Sequence, residues 1–149
     1  MKQILLSALA FFLIINVSLT AQIDQHIWKP LVVEENQKLW YDANMLDSAK
    51  GDKFQVWVLE LHKPPLEIEN IDGDVYRSKT LYTVNLNSVK YGILKIVYYD
   101  VASREIFSYD YSKPEEYDDL NYPYPITENS FMFLILKELM KQKGEQSQK

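Results

Sequence analysis

A chain of 149 residues, 47% hydrophobic and 25% charged, is long enough for one domain with a real core and too short for two. It has no cysteine, which excludes disulfides, thiolate catalysis and cysteine-ligated metal centres, and its 4 glycines are too scattered for a phosphate-cradling loop. A formal charge of −5 argues against nucleic-acid or anionic-membrane partners, because both repel an acidic surface.

Positions 1–21 carry one lysine, Lys2, then an apolar run from Ile4 to Val17, then the small or polar residues Ser18, Thr20 and Ala21. That is the layout of a secretory signal peptide, and the run is shorter than the ~20 residues of a spanning helix. Cleavage after Ala21 leaves Gln22 as the new terminus. With no cysteine after the run, a lipid anchor is excluded. The expectation is an exported protein of the periplasm, cell surface or medium, not a lipoprotein and without a membrane span. Residues 22–141 form its single domain, and 142–149, rich in lysine and glutamine, form a disordered tail.

Strand-like runs of β-branched and aromatic residues follow at 28–33 and 38–42, joined by a hairpin at Glu35-Asn36. A third is predicted over 53–61, entered from the turn Lys50-Gly51-Asp52. The prolines at 64 and 65 lack a ladder donor, so 62–78 is predicted as a long connection with a tight turn at Asp72-Gly73. Residues 80–87 alternate, with Tyr82, Val84 and Leu86 on one side. Residues 91–100 are apolar on both faces and read as a central strand, and 104–111 returns after a short turn. The short connections make these three an antiparallel meander. After a polar, proline-containing loop over 112–125, a helix is predicted from an N-cap near Thr127 to about Lys141. Its apolar residues, Phe131 to Leu136 and then Leu139 and Met140, leave little polar face. The predicted fold is α+β: an antiparallel sheet of about six strands with one C-terminal helix packed on a sheet face.

Signals for chemistry are weak. His26 and His62 are far apart and show no carboxylate or nucleophile at a recognisable spacing, so both read as surface histidines. Asn70-Ile-Asp72-Gly73-Asp74 lacks the glycine and glutamate register of a calcium loop and reads as a turn. The acidic run Glu115-Glu116-Tyr117-Asp118-Asp119 reads as a solvated loop rather than a carboxylate pair for glycoside hydrolysis. No catalytic residue, metal or cofactor is expected. Tyrosine is the unusual feature, with 11 in the chain and a concentration from Tyr98 to Tyr124. Tyr98, Tyr99 and Tyr109 read as strand residues covering the core. Tyr117, Tyr122 and Tyr124, placed in a loop, are the candidate contact residues, because tyrosine joins apolar area to a hydroxyl at low entropic cost.

Several landmarks then fall in order: Trp28, Trp40-Tyr41-Asp42, Met45-Leu46, Val56-Trp57-Val58, Arg77-Ser78-Lys79, Tyr98-Tyr99-Asp100, and Ile126 to Ser130 before the helix. In this order the chain resembles the surface-adhesin protein E family of small exported bacterial proteins, over about 28–140. Family members commonly carry two cysteines, whose positions fall near Leu86 and Met140 here. The resemblance therefore implies an apolar strand–helix contact in place of a cross-link, with Leu86 close to Leu139 or Met140. The family's proline before the helix serine is also replaced, by Asn129.

The resemblance implies a non-enzymatic binding module on the bacterial exterior, linked in that family to host matrix proteins such as laminin and vitronectin. It also allows a homodimer. It transfers no binding residue, and the rival reading is a periplasmic structural or interaction protein with no host ligand.

Overall fold

The computed structural model describes residues 26–35, 37–111 and 118–146. Its core is one antiparallel sheet in the order β1-β2-β3-β4-β5-β6. These strands are β1 (Trp28–Val33), β2 (Lys38–Asp42), β3 (Lys53–Leu66), β4 (Val75–Asn85), β5 (Lys90–Tyr99) and β6 (Glu105–Asp110). A two-residue strand β7 (Tyr124–Pro125) pairs with β5 at Lys90 and Tyr91. Among the described residues three helices accompany the sheet: α1 (Ala43–Asp47), α2 (Asp118–Asn121) and the C-terminal α3 (Phe131–Gln146). The fold is thus α+β, an antiparallel sheet with a C-terminal helix. Among the described residues no helix is long and apolar enough to cross a membrane.

Period-2 alternation builds the core. Phe54, Val56 and Val58 are buried on β3 while Lys53 and Gln55 stand in solvent. Their partners across the ladders, Tyr41 on β2 and Tyr82 and Val84 on β4, share that face. Helix α3 covers it with Met132, Ile135, Leu136 and Leu139, the i, i+3, i+4, i+7 stripe of an amphipathic helix. Leu86 packs against the cluster that contains Leu139, whereas Met140 is 68% exposed. Only the Leu139 side of the expected contact therefore has its partner in the core.

The prolines end less than predicted. Strand β3 runs on to Leu66 and β4 already begins at Val75, so the connection shrinks to 67–74. The ladder is regular down to the Leu61–Arg77 pair and resumes at Leu66–Val75. Pro64 and Pro65 sit in the interruption, where their missing N–H breaks no ladder bond.

The helix begins later than predicted. Thr127 to Ser130 is a turn, with the Ser130 amide and hydroxyl both donating to the Thr127 carbonyl. Ser130 Oγ then accepts from the Phe133 amide at 3.3 Å, which makes Ser130 the cap. The helix continues past Lys141 to Gln146. Helix α1 has no counterpart in the sequence pattern, since five residues are too few to show a period. Asp42 caps it, accepting from the Asn44 amide at 3.1 Å.

Candidate functional site

Helix α3 makes its closest backbone contacts with β1 and α1 and reaches β4 and β5 at one end through Phe131, which meets Tyr82 and Tyr91. Phe107 and Tyr109 on β6 stay exposed on that sheet face. Two rows cross that region by register. One runs Leu39, Glu60, Ser78, Tyr98, Phe107, and the next runs Tyr41, Val58, Thr80, Ile96, Tyr109. Directly paired residues point to one face, so the apolar ends at Leu39 and Tyr41 lie under the helix and the aromatic ends stand beyond it. Ser78 and Thr80 are small and buried, with longer neighbours on both sides in each row and the Tyr82 hydroxyl bonded to Thr80. This low line between the rows is the floor of a trough.

Aromatic rings wall the trough. Phe107 and Tyr109 lie 4.7 Å apart, Tyr98 and Tyr109 meet edge to face at 6.4 Å, and Tyr109 and Tyr111 stack at 6.0 Å. Further along, Tyr91 contacts Tyr82, Phe131 and Tyr124. Phe107, Tyr109, Tyr111 and Tyr124 are exposed. A cleft of about 480 Å³ opens at this end, lined by Ile93, Ile96, Tyr111, Leu120 and Tyr124 among others. Burial pushes the Tyr82 phenol far above its usual range. It raises Tyr98 as well, with Tyr109 and Tyr111 adding to the shift. Tyr82 and Tyr98 therefore keep neutral hydroxyls at physiological pH.

At the inner end, Glu60 is half-buried, and among the described residues no hydrogen bond or ion pair reaches its carboxylate. Burial raises its pKa above the ordinary carboxylate value. His62 hydrogen-bonds Ser78 through Nε2 to Oγ at 3.0 Å, and burial lowers the imidazole pKa. A serine and an imidazole at that distance have nucleophile–base geometry. Ser78 is however only 5% exposed and lies mid-strand, with neighbours on both sides, so its hydroxyl is out of reach of a substrate carbonyl.

The opposite face gathers Trp28, Trp57 and Tyr99 around one cation. Lys79 Nζ lies 5.4 Å from the Trp57 ring and 6.0 Å from those of Trp28 and Tyr99. Arg77 stacks on Tyr99 at 4.7 Å. His26 packs between Trp28 and Trp57 and bonds Asp42 through Nδ1 at 2.6 Å. The cation–π chemistry of this face is thus met from within the chain.

The predicted contact residues divide three ways. Tyr117 lies outside the described residues. Tyr122 turns inward at 7% exposure, meeting Thr83 Oγ1 at 3.4 Å beneath the Lys53 ammonium. Tyr124 is 46% exposed and belongs to the trough. Neither histidine is the plain surface residue predicted, because each finds a partner 16 positions away, Asp42 for His26 and Ser78 for His62. The acidic-loop residues Glu115 and Glu116 also lie outside the described residues.

Sequence reasoning missed Glu60 and undervalued Tyr109. The available signal was parity: after Phe54, Val56 and Val58, the next core-side position of β3 carries a carboxylate. No family model matches the chain, and neither a curated protein nor a solved structure matches it.

Proposed function

We propose that the protein is an exported, non-enzymatic binding protein of the surface-adhesin E type, engaging an extracellular partner protein through the aromatic trough. The observation that carries this reading is the exposed row Phe107, Tyr109 and Tyr111 at a sheet edge. Strand β6 pairs with β5 alone among the described residues. An extended segment of a partner laid against β6 would gain ladder hydrogen bonds from the edge and ring contacts from the row. Aromatic anchors of this kind dominate protein interfaces. The chain's acidity supports a partner that is not a nucleic acid.

The test is solid-phase binding of the mature chain to immobilised laminin and vitronectin, beside a variant carrying Phe107→Ala, Tyr109→Ala and Tyr111→Ala. Saturable binding by the parent and its loss in the folded variant are expected. Equal binding by both, or none by the parent, overturns the reading. Protease shaving of intact cells accompanies it: loss of the protein with survival of a periplasmic control is expected. Survival of both moves the search to periplasmic partners.

A further inference from the structure

We propose that the inner end of the trough, around Glu60, binds a lysine or arginine side chain of the partner, so that the recognised segment is extended and basic. This rests on the reading of the trough as a protein-binding surface and adds the chemistry it selects.

Glu60 and Tyr98 are separated by one strand, so their backbones lie about 10 Å apart with the small Ser78 directly between them and the Tyr82 hydroxyl, bonded to Thr80, alongside. Both side chains are long enough to lean over that floor. An ammonium or guanidinium lodged there would meet the Glu60 carboxylate on one side and the Tyr98 ring on the other. Phe107 and Tyr109 would stand behind it. Carboxylate plus aromatic faces is the combination that recognises an organic cation and rejects an anion.

Two features of the molecule set the sign of the ligand's charge. A half-buried carboxylate with no partner among the described residues is costly to hold, and a bound cation removes that cost. The chain's net charge of −5 draws a basic segment toward the surface at long range. The opposite face displays the same chemistry fulfilled internally, with Lys79 among Trp28, Trp57 and Tyr99. A cation amid rings is therefore an arrangement this sheet already supports.

The experiment titrates the mature chain by calorimetry with two synthetic peptides of alternating threonine and valine, one with a central lysine and one with norleucine there. The lysine peptide should bind roughly tenfold tighter than the norleucine peptide. Glu60→Gln should abolish that difference by bringing the lysine peptide down to the level of the norleucine peptide. Tyr98→Leu, which keeps apolar bulk and removes the ring, should reduce it several-fold. Raising salt should weaken only the lysine peptide. Equal affinity for both peptides overturns the cation site but leaves the binding trough standing. Failure of both peptides to bind at the trough overturns the two together.

Discussion

Gly92 and Asn121 meet backbone to backbone: a β-carbon added at residue 92 would fall on the carbonyl oxygen of Asn121. Thr83 pairs with Gly92 across the ladder and also touches Tyr122, so α2 and the residue after it lie flat on β5 only because position 92 has no side chain. The same segment carries Leu120 and Tyr124 into the 480 Å³ cleft.

Gly92→Ala should therefore act twice. Backbone cannot retreat as a flexible side chain can, so overpacking of about 1–3 kcal/mol is expected in denaturant unfolding. Displacement of Leu120 and Tyr124 should also weaken partner binding. An alanine variant with parental stability would show that α2 does not dock on β5.

The helix docking gives a paired expectation. Ile135 is fully buried in the core cluster, while Met140 is 68% exposed near the same helix's outer side. Ile135→Ala should cost about 2–5 kcal/mol through lost contacts and a residual cavity. Met140→Ala should stay within about 0.5 kcal/mol. Chemical denaturation of both variants measures this. Similar losses for the two would mean that the helix is rotated about its axis.

How far the sequence carried this far can be judged from single residues. The limits of β1 and β2 were legible because the runs of β-branched and aromatic residues and the hairpin punctuation between them agree there. So was the class of fold, since short connections leave an antiparallel meander as the only economical topology. The run through His62 to Leu66 was not, because proline reports only on its own donor, and a ladder that skips two prolines looks in sequence like a loop. The pairs His26–Asp42 and His62–Ser78 were hidden for a different reason: they depend on tertiary register, which no local spacing encodes. The trough shares that property. Tyr109 and Glu60 enter it from strands far apart in sequence, and only the shared rows bring them to one surface.

Asp42 concentrates three obligations in one carboxylate. It accepts from the Ile27 amide at 3.2 Å and the Asn44 amide at 3.1 Å through Oδ1, and pairs with His26 through Oδ2. It is 2% exposed, so water cannot replace it. Asp42→Ala should cost about 1–3 kcal/mol by stranding a helix cap, the amide before β1 and the imidazole. Asp42→Asn, which keeps an oxygen for the amides, should cost less. Thermal melts of the two variants, with His26→Ala as the single-partner reference, separate the contributions. An alanine variant no worse than His26→Ala would mean that the cap carries no stability.

Glu60 and His62 give the pH dependence two opposing limbs. Burial raises the Glu60 pKa, so the folded chain holds that proton longer than the unfolded chain does. The stability linked to it is full below the unfolded value near 4.5 and is lost as pH rises through the folded value. Burial lowers the His62 pKa, so the unfolded chain takes up the proton first, and stability is lost as pH falls below 6.5 toward the folded value. Melting temperatures of the parent, Glu60→Gln and His62→Gln between pH 4 and 8 test both signs. Glu60→Gln should match the parent in acid and exceed it at neutral pH, by on the order of a degree or two. His62→Gln should close its gap to the parent as the pH falls. A Glu60→Gln variant less stable than the parent at neutral pH would mean that the carboxylate already has a partner within the fold, which would also remove the ground for a cation site there.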